Sequence, residues 1–189
     1  RDVAPSRGLG DVYKRQGYIR GTYQGLTTEL CTVKLTEVDA FQREESGQWE
    51  KTEHEVYTGQ WLLCELEREI PTWLTIWPRA GLDRFLSVKT VPTGNEDFDR
   101  RFCVSCGDEA AALRILMPDR AAQILTLADS AFGKFAVNLN RDGRLYLAVH
   151  SGRGFFDVGK GNEDLAQLRR RFAGELSWFA GMIDVFRDV

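Results

Sequence analysis

The sequence predicts an α+β domain in which a mostly antiparallel sheet carries a central helix pair and a long C-terminal helix. Three changes of hydrophobic period predict it. Apolar residues alternate through the first half of the chain, take helical spacing after Asp108, and alternate again from Phe135 to Val149. A last stripe at steps of three and four runs from Leu165 to Phe186. Alternation is typical of half-buried strands, and the three-four spacing of amphipathic helices.

The domain is expected to span residues 17–189, preceded by a lead that does not belong to it. Residues 1–16 have no amphipathic period and resemble a translated sequencing adapter from environmental DNA assemblies, so we expect an artefactual or disordered segment. The two methionines, Met117 and Met182, both lie far from the first residue. We therefore expect the chain to be a fragment of a longer protein.

The first half of the chain is predicted to form strands. Residues 17–25 alternate, and residues 29–38 place Cys31, Val33 and Leu35 on one face. Residues 49–69 are predicted to form a hairpin that turns near Thr58 and Gly59, since glycine is a common turn residue. A short strand between Pro71 and Pro78 is predicted to lie at a sheet edge, because proline cannot donate to a ladder.

Two helices and a second hairpin follow. Asp108 is a predicted N-cap, with Leu113, Leu116 and Met117 as the stripe of the first helix. Pro118 is predicted to end that helix and open the next, whose stripe is Ile124, Leu127 and Ala128. In the hairpin, residue 139 is expected opposite 145, 137 opposite 147 and 135 opposite 149. That register requires an odd loop, Arg141 to Gly143, with Gly143 in the left-handed conformation.

The C-terminal helix is predicted to begin at an Asn162 N-cap, with Glu163 and Asp164 in its first turn. Its stripe forms one continuous line over about six turns. Phenylalanine at three of the seven stripe positions favours packing on the sheet over a coiled coil. The seven stripe residues are Leu165, Leu168, Phe172, Leu176, Phe179, Ile183 and Phe186.

Composition excludes several classes of function. The chain carries 25 basic and 28 acidic residues, a net charge of −3, and without the lead the domain carries −5. A mildly acidic domain lacks the electrostatic footprint of a nucleic-acid binder and gives no reason for adhesion to anionic lipid. The sequence contains no run of 18 apolar residues, as a membrane span requires. Four cysteines are too few for a disulfide scaffold, so a reducing compartment is expected.

Cys103 and Cys106 are the one candidate metal or redox pair. Two thiolates three positions apart can chelate zinc, but a structural site needs four ligands, and strand alternation would point these two side chains apart. Asp108 and Glu109 would oppose the low thiol pKa that redox chemistry requires. We therefore expect buried structural cysteines, with no metal and no cofactor.

No catalytic set is visible. His54 and His150 stand apart, and the spacing of nucleophile elbows, phosphate loops and dinucleotide glycine motifs is absent. The Gly152-Arg153-Gly154 and Gly159-Lys160-Gly161 stretches could hold an anion, although flexible surface loops are favoured. Arg169, Arg170 and Arg171 cannot all meet one partner and are predicted to lie on a solvated face. The tryptophans Trp49, Trp61, Trp73 and Trp77 could form an aromatic groove, although ordinary packing is favoured.

A spaced pattern of aromatic, small and turn residues is shared with a bacterial family. Phe98, Phe102, Val104, Asp108, Ala111, Leu116 and Pro118 carry it, with Gly17-Tyr18, Gly21, Tyr23, residues 56–59 and residues 143–148 in order. The pattern resembles the uncharacterised family called domain of unknown function thirty-one thirty-seven. The resemblance covers nearly all of residues 17–186. It implies two N-terminal membrane helices ahead of a cytosolic domain, and it supplies no catalytic residue.

The function expected from these observations is a non-catalytic binding or scaffolding domain of a membrane-tethered bacterial protein. Its partner would be a protein or a small ligand rather than nucleic acid, and its place the cytoplasm at the inner face of the cell membrane. Two alternatives stay open. One is an enzyme of unrecognised type that uses scattered carboxylates and a histidine, and the other is a homo-oligomeric assembly module.

Overall fold

A computed structural model describes residues 7–8, 14–42, 49–79, 89–155, 157–158 and 164–189. Among these residues the strands are β1 (Arg7–Gly8), β2 (Lys14–Tyr23), β3 (Leu26–Gln42), β4 (Trp49–Glu65), β5 (Leu74–Pro78), β6 (Phe102–Cys106), β7 (Lys134–Leu139) and β8 (Arg144–His150). The helices are α1 (Glu96–Arg101), α2 (Glu109–Ile115), α3 (Pro118–Asp129) and α4 (Leu165–Arg187).

The described strands form one antiparallel sheet in the order β1-β3-β4-β8-β7-β5-β6, with β2 also paired to β3. Side chains of alternate residues, such as Leu62 and Cys64 of β4 and Leu147 and Val149 of β8, enter one apolar core. The helices α3 and α4 contribute to the same core from one side of the sheet. The predicted α+β architecture, with a helix pair and a long C-terminal helix packed on a mostly antiparallel sheet, is confirmed.

The β7–β8 hairpin has the predicted register. Leu139 pairs with Leu145, Val137 with Leu147 and Phe135 with Val149. The Asn140 amide donates to the carbonyl of Arg144 at 2.9 Å, which closes a loop of residues 141–143. Gly143 has φ +80°, and a Cβ there would lie 2.0 Å from the carbonyl oxygen of Arg68, so this position requires glycine on both counts.

The boundary between α2 and α3 also follows the sequence, but the buried face of α2 does not. Asp108 caps α2 by accepting from the amide of Ala111 at 2.7 Å, and Pro118 opens α3 at its first position. The predicted stripe of Leu113, Leu116 and Met117 is wrong, because Leu113 and Met117 are exposed. The helix α2 ends at Ile115 and Met117 caps the next helix, so these residues do not share one helical face.

Helix α4 begins at a capping box. The Asp164 carboxylate accepts from the amide of Gln167 at 2.7 Å, and the Gln167 side chain accepts from the amide of Asp164 at 3.0 Å. The N-cap is therefore Asp164, whereas the predicted cap, Asn162, and Glu163 lie outside the described residues.

The predicted stripe of α4 is continuous in spacing but not in burial. Phe179, Ile183 and Phe186 are buried, whereas Leu165 is 64% exposed and Leu176 is 46% exposed. Helix α4 packs on the core chiefly through its C-terminal half, where its buried residues lie. The buried residues of α4 are Glu175, Trp178, Phe179, Met182, Ile183, Val185 and Phe186.

The predicted turn at Thr58 and Gly59 is wrong, because both residues lie inside the single 17-residue strand β4. Steric crowding by the neighbouring strand β8 explains the glycine at position 59. A Cβ at Gly59 would lie 1.9 Å from the carbonyl oxygen of Val149, so β8 approaches β4 more closely than any side chain allows. Position 59 therefore requires glycine because two strands approach each other closely there, and not because the chain turns.

The predicted edge position of β5 is also wrong, because β5 lies between β6 and β7. The residues of β5 that pair with β7 are Leu74, Thr75 and Ile76. Pro78 follows that ladder and pairs only on the β6 side, opposite Phe102. The proline is thus compatible with an internal strand, since it lies beyond the part of β5 that has two neighbours.

The expected lead contributes strand residues. β1 pairs with residues 38–39 of β3, and β2 begins at Lys14, which pairs with Lys34. The pairing of β2 shifts register between Gln16 and Ile19, close to the expected domain start. That residues 1–16 are foreign to the natural protein stays a prediction.

The crowding at Gly59 generates a stability prediction. Gly59→Ala is expected to lower the free energy of unfolding by about 3 kcal/mol, because the new Cβ must push β4 and β8 apart. Gly21→Ala is the matched control, since a Cβ at that strand position meets nothing within 4 Å and should change stability by less than about 0.5 kcal/mol. Urea unfolding measures both variants. Equal effects would contradict the close approach of β8.

Candidate functional site

An apolar cleft lies between α4 and the hairpin that β2 and β3 form. Its volume is about 420 Å³, and its lining is mostly aliphatic and aromatic. Ile19 and Leu30 form the wall on the hairpin, while Leu176 on the rim and Ile183 below it belong to α4. The full lining is Ile19, Gly21, Thr22, Tyr23, Thr28, Leu30, Leu62, Leu176, Ser177, Phe179, Ala180 and Ile183. We call this site the apolar cleft.

A polar contact ties the hairpin to α4 beside this cleft. The Tyr23 hydroxyl donates to Oδ2 of Asp184 at 2.9 Å, and Nε2 of Gln24 donates to the Tyr23 hydroxyl at 2.9 Å. The hydrogen bond to Asp184 raises the pKa of Tyr23, so the phenol keeps its proton. Gln24 has φ 48° in the β2–β3 turn, and its Nε2 also donates to Oδ1 of Asp184 at 3.5 Å. The contact fixes the hairpin relative to α4 and therefore sets the width of the cleft.

A second cleft, of about 410 Å³, lies on the opposite flank of α4. Three arginines, one acid and an aromatic wall line it, and we call it the arginine cleft. Nη2 of Arg153 lies 2.6 Å from Oε1 of Glu175, and Nε of Arg171 lies 4.0 Å from the same oxygen. The full lining is Leu127, Ser130, Phe132, Arg153, Arg170, Arg171, Gly174, Glu175, Ser177 and Trp178.

Sequence reasoning named the arginines of this cleft but missed Glu175. The loop that carries Arg153 and the helix segment that carries Arg170 and Arg171 are separate features of the sequence, and the structure brings them together around Glu175. One signal was available: Glu175 lies four residues after Arg171 and three before the buried Trp178, on the side of α4 that faces the core. The Gly159-Lys160-Gly161 stretch lies outside the described residues.

Cys103 and Cys106 lie at different positions of the edge strand β6. Cys103 is buried and pairs with Trp77, whereas Cys106 is half-buried and pairs with Leu74. Within the described parts of the chain, no group of three or more His, Cys, Asp and Glu side chains could hold a metal ion. Burial and the neighbouring Glu109 and Asp108 raise the pKa of Cys106, the direction that the sequence predicts. The absence of a metal or redox role stays a prediction.

The two histidines lie on different strands. His54 is exposed on β4 opposite Glu37, and His150 ends β8 with its ring 5.0 Å from the ring of Tyr57. Close to His150, Nζ of Lys34 lies 2.5 Å from a Glu55 oxygen, and the Thr58 hydroxyl donates to the other oxygen at 2.6 Å. These bonds lower the pKa of Glu55, which keeps the carboxylate ionised.

The tryptophans do not form one groove. Trp61 lies on the face of the sheet away from the helices, 6.2 Å from the Tyr57 ring, and lines a shallow cavity with Tyr146. Trp73 directly precedes β5 and Trp77 lies within it, and neither residue lines this cavity. The side chain of Trp49 lies outside the described residues. The aromatic groove considered from the sequence is therefore not assembled in the described part of the chain.

Comparison with known proteins assigns the chain to a family. Residues 55–187 match the model of the protein family of unknown function DUF3137. The chain belongs to the DUF3137 family. The match runs from the middle of β4 to the end of α4, so it contains the whole arginine cleft and the α4 wall of the apolar cleft. The hairpin wall of the apolar cleft, with Ile19 and Leu30, precedes the matched region of this DUF3137 domain.

Other comparisons are sparse. No curated protein matches the DUF3137 chain. The crystal structure of the mycobacterial trehalose monomycolate transport factor A, TtfA, is similar at 11% sequence identity and a TM-score of 0.46, over 93% of this chain and 87% of that chain. A similarity this distant adds no functional argument. No helix among the described residues is both long enough and apolar enough to cross a membrane.

The environment of Tyr57 generates a pH prediction. Its hydroxyl donates to the carbonyl of Val149 at 3.0 Å, and burial raises the pKa of Tyr57 to about 12, from 10.0. Tyr57→Phe removes this bond and should lower the free energy of unfolding by about 1 kcal/mol near neutral pH. The folded wild-type protein holds this proton more tightly than the unfolded chain, so it loses the corresponding stability as the pH rises from about 10 to about 12.

The variant has no such group, so the stability difference between the two proteins should shrink and then reverse across that window. Urea unfolding of both proteins at a series of pH values measures this difference. A difference that stays constant up to about pH 12 would show that Tyr57 titrates normally.

Proposed function

We propose that this DUF3137 domain is a non-catalytic binding domain and that the apolar cleft receives an apolar segment of a partner protein. The observation that carries the proposal is the exposure of Leu176, 46% accessible at the rim of a cleft whose lining is largely apolar. An apolar surface rimmed by polar residues is typical of an interaction site. The acidic net charge of the chain supports a partner other than nucleic acid.

The shape of the cleft favours a polypeptide over a small molecule. Small-ligand sites enclose most of the ligand surface, whereas this cleft is open along α4, with Gly21 and Leu176 exposed at its rims. A groove between a helix and a hairpin suits the apolar face of an amphipathic helix, whose anchoring side chains recur every three or four residues. Covering a leucine completely contributes about 1.5–3 kcal/mol, so the exposed half of Leu176 contributes about 1 kcal/mol.

We also propose that the domain works at the inner face of the cell membrane, tethered by two membrane helices on the N-terminal side of the domain. The support is the family pattern in residues 17–186, which implies such a pair of helices. Sequencing the source DNA upstream of the codon for Gly17 tests this. Two apolar spans of about 20 residues each are expected, and a start codon reached without them would contradict tethering.

The cleft itself can be tested with the neutral fluorescent probe N-phenyl-1-naphthylamine. The chain should enhance the fluorescence of the probe, and Leu176→Asp should weaken its binding about tenfold, because the carboxylate would be desolvated in the complex. Leu165→Asp is the matched control, since Leu165 is an exposed leucine of the same helix and is not among the lining residues. Equal loss in both variants would show that the probe does not report on the apolar cleft.

The identity of the occupant requires the full-length protein in its own cell. A photo-reactive phenylalanine analogue at position 176 should cross-link to a protein, and the same analogue at position 165 should not. Ala180→Trp, which fills the cleft, should remove the adduct. Adducts to lipid alone would favour a small apolar ligand, and adducts to a second copy of the chain would favour the assembly module. The proposal fails if position 176 gives no adduct or if Ala180→Trp leaves the adduct unchanged.

A further inference from the structure

A buried ion pair lies in the arginine cleft, which distinguishes the cleft from a run of solvated charges. Glu175 is 3% exposed and binds Nη2 of Arg153 from beneath at 2.6 Å. Arg171, four residues earlier on α4, donates to the carbonyl of Asp157, and its guanidinium lies 5.1 Å from the centre of the Phe172 ring. Two guanidinium groups from different parts of the chain are therefore held beside one buried carboxylate.

Among the described residues that line the cleft, basic groups outnumber acidic ones. Arg153, Arg170 and Arg171 are accompanied there by one acid, Glu175. The carboxylate of Asp157, counted because its carbonyl accepts from Arg171, still leaves one positive charge in excess. Nε of Arg153 and Oε2 of Glu175 are both buried without a hydrogen-bond partner among the described residues, so the ion pair between Nη2 and Oε1 leaves polar atoms of both groups unsatisfied. Like charges brought together with part of their hydration removed are costly unless an anion joins them, so the arrangement favours a bound anion.

The donors, the charge and the apolar side of the cleft indicate which kind of anion it would bind. Guanidinium groups present paired donors that match the oxygens of a phosphate, and an excess of one to two positive charges matches the −1.5 to −2 of a phosphate monoester at neutral pH. The opposite side of the cleft is apolar, with Leu127, Phe132 and the buried Trp178. Phe132 packs edge-on against Trp178, with 5.6 Å between the ring centres. An organic group attached to the phosphate would therefore rest on this aromatic wall.

We propose that the arginine cleft binds a phosphate monoester, with the phosphate on Arg153, Arg170 and Arg171 and the organic group on Phe132 and Leu127. Glu175 is a positioning residue, because its buried carboxylate holds Nη2 of Arg153 at 2.6 Å. The proposal is independent of the apolar cleft, which lies on the other flank of α4. A soluble phosphate ester and the phosphate of a membrane lipid share this chemistry, and the experiment distinguishes them.

The test is an NMR titration of the full chain with phenyl phosphate and with inorganic phosphate. Phenyl phosphate should bind with a dissociation constant on the order of 1 mM or tighter, more tightly than inorganic phosphate, because of the aromatic wall. Arg170→Gln should weaken phenyl phosphate roughly tenfold, by loss of a charged hydrogen bond. Arg169→Gln is the matched control, since Arg169 is exposed on the same turn and is not among the lining residues, and it should bind as the wild type does.

A second variant and a vesicle assay complete the test. Arg153→Lys keeps the charge but loses the paired donors, and it should also weaken binding, while thermal unfolding checks that each variant is folded. Vesicles of phosphatidylcholine with and without phosphatidic acid form the lipid arm. Binding that needs phosphatidic acid and Arg170 assigns the site to a lipid phosphate, and binding of phenyl phosphate alone assigns it to a soluble ester.

Leu176→Asp should leave both kinds of phosphate binding unchanged, so failure of the proposed binding function and failure of this inference are separable. The inference is overturned if neither phosphate source binds. It is also overturned if the Arg170→Gln variant binds as tightly as the Arg169→Gln variant.

Discussion

The pairing of β4 with β8 is the constraint on which the rest of the structure depends. β4 pairs with β3 from Trp49 to Cys64, with one register shift, but with β8 only from Gln60 to Glu65. This short ladder joins the N-terminal strands to the remainder of the sheet, and the absence of a side chain at Gly59 permits the approach of Val149 that begins it. Without that union, β1 to β4 would be separated from the strands that carry the remainder of the core. The hairpin wall of the apolar cleft exists because this ladder holds it over α4.

Helix α4 forms one wall of both clefts, of which one is apolar and the other is lined by arginines. Successive residues of a helix are rotated by about 100°, so the flanks of α4 diverge on either side of its buried face. Ala180 and Ile183 lie on the flank toward the β2–β3 hairpin, and Arg170, Arg171 and Gly174 lie on the other. Phe179, Met182 and Phe186 fix the rotation of the helix because their burial leaves no freedom to turn it. The packing of the C-terminal half of α4 therefore determines what its flanks present.

Local sequence signals predict most of the fold. The features that the sequence did not predict depend on contacts between residues that are distant in the sequence. The 135–149 hairpin, the Asp108 cap and the Pro118 helix start each depend on residues within a few positions, and all three were predicted. Gly59 was misassigned because the carbonyl that crowds it belongs to Val149, 90 residues later in the sequence. The arginine cleft was missed for the same reason, since Arg153 meets Glu175 only after β8 and α4 are placed. Neither the exposure of Leu176 nor the β2–β3 wall opposite it follows from helical periodicity.

Several ionisable groups of the structure are held in the charge state that they already have at neutral pH. A general acid or base works best with a pKa near the operating pH. Three groups are shifted away from the neutral range: burial raises the pKa of Tyr57 to about 12 and that of Cys64 to about 11, and Lys34 lowers the pKa of Glu55. Each of these three shifts favours the charge state that the group already has at neutral pH, whereas burial lowers the pKa of Arg120. Tyr57 therefore remains a hydrogen-bond donor to the carbonyl of Val149, and Glu55 remains an ion-pair partner of Lys34, throughout the neutral range.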